Sequence, residues 1–351
     1  MNRKASPFNQ WPMTDQSAWG TAMATGDRFD GRGAASHWSP ASKNSISAAY
    51  GRWLGFLVQN FPLALNQAPV ERVTPNSIGA YIDQLNNEVT ASTTHIYIDH
   101  LLCALRVMGP SHDWNWLRSV VSRLKRDVIP KAKRHRMVDS GRLFDLGITL
   151  MERTDLQSDV KPLDKAILYR DGLLIAILAA RPLRRRALSI IRIGQHILRI
   201  GDHYTFTFSS ADTKNKQPID YVLPVKLTSY LDRYLGHYRG LFLNAENHDG
   251  LWVSAKGNPL SASSIYRRVI LRTHEAFGFS INPHLFRDCA ATTLAIHKPE
   301  HVLVGAGLLG HSDLRTIHQH YIHVQTTKAG NAHQTVMRKL RRRLATRSTR
   351  R

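Results

Sequence analysis

The spacing of apolar residues changes along the chain, and this change constrains the fold more than any other feature. From residue 44 onward, apolar residues recur at intervals of three and four, as with Tyr50, Trp53 and Leu57. Such spacing is typical of helices that bury one face. Thr74-Pro75 has the form of a helix start, with a capping hydroxyl before a proline at the first helical position. The pattern predicts four short helices that form a helical domain over residues 43–127.

A second pattern begins after residue 142, where we expect another domain, over residues 142–336. A buried helix is predicted first, over residues 163–180. Short apolar and β-branched runs follow, separated by turn residues, and helical spacing returns from residue 224. The whole chain is therefore predicted to be mainly α with a small antiparallel β-sheet. The predicted strands cover residues 188–193, 197–200, 204–208 and 221–223.

Three segments lack such periodicity. Residues 1–42 are rich in Gly, Ser, Pro, Asn and Asp, and we interpret them as a flexible N-terminal arm, although the segment holds three tryptophans. Residues 128–141 are interpreted as a basic linker between the domains. Residues 337–351 form a basic C-terminal tail.

The charge of the chain favours a polyanionic partner. Lys and Arg number 48 against 26 acidic residues, for a formal net charge of +22, and the body stays basic without the tail. Nucleic acid and an anionic membrane both fit such a charge. The longest apolar run, residues 173–180, is far shorter than the roughly 20 residues that span a bilayer, so we expect no membrane association. With only two cysteines and no apolar leader, we expect a reducing cytoplasm.

Cleaving DNA without a metal ion requires a particular set of side chains. Arginines must neutralise the charge that builds on the phosphate oxygens, because the guanidinium presents paired donors and stays charged. A nucleophile must be held in line, and the leaving 5′-oxygen needs a proton donor. Four segments of the chain offer these groups: Arg181-Pro-Leu-Arg-Arg-Arg, Asp212-Thr-Lys-Asn-Lys, Pro283-His-Leu-Phe-Arg-Asp and Leu309-Gly-His-Ser-Asp-Leu with Tyr321 ten residues after His311.

Each segment alone also has an ordinary structural interpretation. The arginine run fits a solvated turn, and the lysine segment fits a surface hairpin. The histidines around Tyr321 could bind a metal, but no cysteine pair or acid stands at a ligand-like spacing. Tyr321 could be a core aromatic residue. The order of the four segments along the chain is what distinguishes them.

In this order, the segments resemble the catalytic signature of the tyrosine recombinase (phage integrase) family. A helical domain ahead of the catalytic one also resembles the family's SAM-like core-binding domain, so the resemblance covers most of the chain. It implies a DNA-binding helical domain followed by an α+β catalytic domain. It further implies a catalytic set made of Arg184, Lys214, His284, Arg287, His311 and Tyr321.

The resemblance also implies a role for each residue. Arg184 and Arg287 bind the scissile phosphate, and His311 hydrogen-bonds it. Tyr321 is the nucleophile that forms a 3′-phosphotyrosyl link. Lys214 is the general acid for the leaving 5′-hydroxyl, and His284 matches the acid/base position. No metal, ATP or other cofactor is implied.

Two positions keep alternatives. The family usually reads G-L-R-x-x-E, whereas this chain has Pro182 and Ala187 at the outer positions, so Arg181 or Arg185 could replace Arg184. In the hairpin, Lys216 is a second candidate for the general acid.

We expect a site-specific recombinase or integrase of a mobile element. Its partners would be double-stranded DNA attachment sites, on which four protomers assemble. A non-catalytic DNA-binding protein of the same fold and a relaxing enzyme similar to type IB topoisomerases are the alternatives.

Overall fold

The computed structural model describes residues 5–129, 134–156, 159–213 and 217–298. Lys214, Lys216, His311 and Tyr321 lie outside this part, as does the basic tail. The chain divides into two compact units, Met1–Lys131 and Ala132–Arg351. The division falls inside the stretch that we interpret as a linker.

The first unit is helical. Its second helix begins after Ser39 and its third after Thr74. The Thr74 hydroxyl caps the third helix, as the sequence predicts, by accepting a hydrogen bond from the Ser77 amide, and the Ser77 side chain completes a capping box. Apolar faces of the four expected helices meet in one core that includes Tyr50, Trp53 and Leu105. The helices are α1 (Met13–Met23), α2 (Pro40–Asn60), α3 (Pro75–Glu88), α4 (Ala91–Met108) and α5 (Asn115–Arg126).

Helix α1 was not expected, and the prediction of a flexible arm over residues 1–42 is wrong for this segment. Trp11 and Trp19 are buried, and the Trp11 ring lies 4.9 Å from the ring of Tyr50. Tryptophans bury large apolar areas, which offsets the entropy lost when the segment is ordered. The segment is therefore part of the core of the first unit.

A buried ion pair also ties α1 to this unit. The Asp15 carboxylate accepts hydrogen bonds from the Tyr50 hydroxyl at 2.6 Å and from Arg72 Nη1 at 2.7 Å. The side chains of Asp15 and Arg72 are both fully buried. A charge in such a place is tolerated only because its partner is present.

The second unit is built around α7 (Pro162–Ala180), most of whose residues are buried. Helix α6 (Ser140–Leu156) packs closely along it at two glycines. A Cβ at Gly147 would lie 2.6 Å from the Gly172 carbonyl oxygen, so this spacing requires glycine. The described helices are α6 (Ser140–Leu156), α7 (Pro162–Ala180), α8 (Arg185–Ser189), α9 (Thr228–Gly236), α10 (Ala262–Phe277) and α11 (Pro283–His297).

A three-stranded antiparallel sheet of order β1-β2-β3 follows α8. Ile197 pairs with Phe206, and Phe206 pairs with Tyr221. Phe206 and Phe208 are buried, so β2 supplies the core side of the sheet. The mainly helical fold with a small antiparallel sheet is as predicted. The strands are β1 (Ile197–Ile200), β2 (His203–Phe208) and β3 (Ile219–Val222).

The prediction of a strand over residues 188–193 is wrong. Residues Arg185–Ser189 form α8, and only isolated bridges occur at Arg192 and Ile193. Leu188 and Ile191 are the buried members of this run, and they stand three residues apart. The apolar run therefore follows a helical turn rather than the alternation of a strand.

Candidate active site

The arginine run lies where α7 ends and α8 begins. Arg181 is the C-cap of α7, and its amide donates to the Ile177 carbonyl at 2.7 Å. Arg184 is the N-cap of α8, with extended backbone. Between them, Pro182 and Leu183 are buried. The two arginines thus project from a short segment that is anchored at both ends.

Arg287 lies in the second turn of α11 and is 5% exposed. The helix begins at Asn282, whose side chain accepts from the Leu285 amide at 2.9 Å. Arg287 Nη1 donates to the Pro182 carbonyl at 2.6 Å. This hydrogen bond joins two segments that are 105 residues apart in sequence, and it brings Arg287 to the arginine run.

The positive charges in this region act on one another. Burial and the charge of Arg184 together lower the pKa of Arg287 to about 10. Burial raises the pKa of Tyr221 on β3, while Arg287, Arg181 and Arg184 oppose that rise. We call Arg181, Arg184 and Arg287 the site arginines. Two positive charges that repel each other in a buried setting favour an anion between them.

Arg185 and His284 are placed differently. Arg185 is exposed, and its guanidinium carbon lies 5.5 Å from the centre of the Tyr266 ring. His284 is exposed on the first turn of α11, three residues before Arg287. Both stand close in sequence to a site arginine, so either could take part in binding a ligand at this surface.

Tyr221 is a site residue that we did not select from the sequence. The sequence indicated only that it begins a short strand after the lysine-bearing turn. Its half-buried ring packs against the core of the second unit, while its hydroxyl is subject to the field of the site arginines. One signal in the sequence could have pointed to Tyr221. Side chains alternate between the two faces of β3, so Ile219 and Tyr221 share the more buried face while Asp220 and Val222 are exposed.

A second group of arginines surrounds one carboxylate, and we call it the Asp171 group. Asp171 Oδ1 accepts from Arg170 Nη2 at 2.7 Å, and Oδ2 accepts from Arg268 Nη2 at 2.6 Å and from Arg272 Nε at 3.0 Å. Arg170 also donates to the Val253 carbonyl at 2.6 Å. Asp171 is 1% exposed, so this group fastens α7 to α10 from inside the unit.

Among the described residues, no cluster of three or more His, Cys, Asp or Glu side chains could hold a metal ion. None of the described helices is long and apolar enough to cross a bilayer.

The second unit is thus mainly helical with a three-stranded sheet, and it brings the buried Arg287 to the half-buried Arg184. The chain belongs to the phage integrase family, whose family model matches residues 153–328. This range contains all six residues of the predicted catalytic set.

The curated relatives include two bacterial recombinases. The chain is similar to tyrosine recombinase XerD of Pseudomonas aeruginosa, at 30% identity over 171 residues, which cover 48% of this chain and 55% of that protein. It is also similar to tyrosine recombinase XerD of Chlorobaculum tepidum, at 26% identity over 172 residues, with 48% and 53% covered. The chain thus spans about half the length of the curated relatives it matches.

Two solved structures share the fold. One is the XerH site-specific recombinase bound to its difH substrate before cleavage, with a TM-score of 0.55 and 18% identity. The other is XerH bound to a palindromic difH substrate after cleavage, with a TM-score of 0.54 and 17% identity. In both cases the alignment covers 83% of this chain and 79% of the other. At these identities the likeness concerns the fold.

Proposed function

We propose that this protein is a site-specific tyrosine recombinase that cuts and rejoins DNA through Tyr321. The observation that carries the proposal is the junction of Arg287 with the arginine run. The hydrogen bond from Arg287 to the Pro182 carbonyl holds one buried guanidinium beside Arg184. Membership of the phage integrase family supports the same activity.

In the proposed reaction, Arg184 and Arg287 bind the non-bridging oxygens of the scissile phosphate, and His311 hydrogen-bonds the same group. The Tyr321 oxygen attacks the phosphorus in line, and the bond to the 5′-oxygen breaks. Lys214 gives a proton to that leaving oxygen, while His284 serves as acid/base for the tyrosine proton. A 3′-phosphotyrosyl bond results.

The second half of the reaction reverses the first. A 5′-hydroxyl from the other DNA site attacks the phosphotyrosyl bond, and Tyr321 leaves. One phosphodiester is broken and one is formed, so the exchange conserves bond energy and consumes no ATP. Desolvation strengthens the arginine contacts to the pentavalent phosphorus, where charge accumulates.

We propose double-stranded attachment sites as the substrates and four protomers on two sites as the assembly. The first unit would be the core-binding domain, and the basic tail would contact a neighbouring protomer or phosphates. The proposed recombinase would act in the bacterial cytoplasm. A mobile element would carry its DNA sites.

A nicked DNA site tests the activity. Duplexes selected from a random library for binding to this protein are nicked next to the cleavage position, so that the short 5′ fragment diffuses away and the covalent complex accumulates. We expect a denaturant-resistant adduct with the wild-type chain and none with Tyr321→Phe. Tyr266→Phe, the matched control, should form the adduct at the wild-type rate.

The other outcomes separate the alternatives. A Tyr321→Phe protein that still formed the adduct would contradict the assignment. Sequence-specific binding by the wild-type chain with no adduct would favour a non-catalytic DNA-binding protein. Relaxation of any supercoiled plasmid, without sequence preference, would favour a topoisomerase-like enzyme.

A further inference from the structure

The turn that joins β2 to β3 is organised by one carboxylate. Asp212 Oδ2 accepts hydrogen bonds from the Ser209 amide at 2.9 Å and from the Ser209 hydroxyl at 2.6 Å. The Asp212 amide donates back to the Ser209 carbonyl at 3.1 Å. These contacts close the first part of the turn, directly after β2 and two residues before Lys214.

The two sides of the turn are also tied to each other. The Thr213 hydroxyl donates to the Gln217 carbonyl at 2.7 Å. Thr213 and Gln217 flank the two candidate lysines in sequence. The backbone on both sides of these lysines is therefore held by side chains of the turn itself.

A buried histidine faces Asp212 from the sheet. His196 is 4% exposed, and its carbonyl accepts from the Thr207 amide of β2 at 2.9 Å. The Arg192 amide donates to His196 Nδ1 at 3.2 Å. An amide only donates, so Nδ1 is the acceptor and the ring proton lies on Nε2.

That proton is directed at the turn. His196 Nε2 lies 3.6 Å from Asp212 Oδ2 and has no hydrogen-bond partner among the described residues. A distance of 3.6 Å is too long for a hydrogen bond, and burying an N–H without a partner has a free-energy cost. The Asp212 carboxylate faces this N–H, and a small approach of the two groups would form the missing hydrogen bond. The hydrogen bonds from Ser209 lower the pKa of Asp212, so the carboxylate is ionised at neutral pH.

We propose that Asp212 and His196 are positioning residues for the general-acid lysine. Asp212 fixes the chain just before the lysine, and His196 holds Asp212 against the sheet. Neither residue touches the phosphate. The inference rests on the proposed recombinase activity, in which that lysine protonates the leaving 5′-oxygen.

A substrate with a sulfur leaving group distinguishes loss of the positioned general acid from a general loss of folded protein. When sulfur replaces the bridging 5′-oxygen, the P–S bond breaks to give a thiolate, which needs no proton because thiols ionise near a pKa of about 8.5. General acid catalysis contributes about 10²–10⁴-fold. We expect Asp212→Ala to lose part of this contribution and to slow adduct formation by about 10–100-fold on the oxygen substrate, but by less than about 3-fold on the sulfur substrate.

The matched control is Asp220→Ala, which removes the same charge from an exposed position on β3 of the same hairpin. It should leave both substrates within about 3-fold of the wild-type rate, since surface changes have small effects. Lys214→Ala and Lys216→Ala identify the general acid, because sulfur should rescue the variant that lacks it. His196→Phe keeps the packing against Phe208 and should show a weaker rescue of the same kind.

The outcomes are distinct. An equal loss on both substrates for Asp212→Ala would overturn the positioning role. Failure of the sulfur substrate to rescue either Lys214→Ala or Lys216→Ala would overturn it as well. Additive losses for Asp212→Ala and His196→Phe would show that the two residues do not act as a pair. Absence of any adduct with the wild-type chain would instead contradict the recombinase activity itself.

Discussion

The site arginines and the Asp171 group lie in the same unit, yet their charges are balanced differently. In the Asp171 group, burial tends to lower the pKa of Arg272, but the charges and hydrogen bonds of Asp171 and Glu275 together outweigh burial, and the pKa is raised. Among the site arginines, burial and the charge of Arg184 lower the pKa of Arg287 to about 10. Arg287 donates to the Pro182 carbonyl and lies in the field of the Asp288 carboxylate, whereas Arg272 donates directly to a carboxylate.

This difference supports the proposal that the site arginines bind the phosphate, whereas the arginines of the Asp171 group are structural. A guanidinium beside a buried carboxylate is already neutralised and has little to gain from a phosphate. A guanidinium beside another guanidinium gains free energy when an anion arrives, because the anion relieves their repulsion. A pKa of about 10 still leaves Arg287 protonated at neutral pH, as the proposed phosphate contact requires.

The largest expected effect concerns the stability of the Asp171 group. Asp171→Asn keeps the shape of the side chain but removes the charge that three arginines share. Leaving buried charges without their partner costs about 3–5 kcal/mol. We expect the free energy of unfolding to fall by that amount, measured by urea denaturation.

The control for this loss is Asp249→Asn. The Asp249 side chain is 53% exposed, and its Oδ2 lies 3.8 Å from Arg192 Nη1. Removing this exposed charge should therefore lower the free energy of unfolding by less than about 1 kcal/mol. If Asp171→Asn lowered the free energy of unfolding by as little as Asp249→Asn, the Asp171 group would not stabilise the fold.

A slightly smaller effect is expected on the chemistry at the site arginines. Arg287→Lys keeps a positive charge but loses the forked donors. Removing one preorganised donor from a transition state costs about 2.7–4 kcal/mol, or 10²–10³-fold in rate. Single-turnover adduct formation on the nicked site measures this loss.

Arg272→Lys tests whether an arginine of the Asp171 group affects the reaction. It should leave the rate of adduct formation per folded molecule within about 3-fold, because surface and structural changes act on stability rather than on the step itself. Equal rate losses in Arg287→Lys and Arg272→Lys would remove the distinction between the two groups.

The smallest effect sharpens the assignment within the arginine run. We expect Arg184→Lys to slow adduct formation by about 10²-fold. We expect Arg185→Lys to lose only part of its contact with Tyr266, worth about 0.5–1 kcal/mol at an exposed site. Single-turnover adduct formation measures the effect of Arg184→Lys, and thermal unfolding measures the effect of Arg185→Lys. A larger rate loss for Arg185→Lys, or for Arg181→Lys, would move the first phosphate-binding position to that residue.

The sequence predicted the helices of the first unit well, because their signals are local. Thr74 caps α3 through neighbours only three residues away, and the buried faces repeat every turn. Order in residues 13–23 could not be read in this way, since α1 depends on contacts from Asp15 to Tyr50 and Arg72, far along the chain.

The candidate site shows the same limit. The spacing of His284 and Arg287 marks one helix, and the arginine run marks one junction. Their meeting depends on the carbonyl of Pro182, a backbone group that carries no side-chain signal. Asp171 was equally hidden, because its partners Arg268 and Arg272 stand 97 and 101 residues away.

The ion pair between Asp15 and Arg72 has a practical consequence for dissecting this protein. A fragment designed from helical periodicity would start near residue 43, and it would leave Arg72 as a buried cation with its carboxylate cut away. The same cut would uncover Tyr50 of α2, against whose ring Trp11 packs. Fragments of the first unit should therefore begin ahead of Ser6, whose amide donates to the Gly51 carbonyl at 2.8 Å.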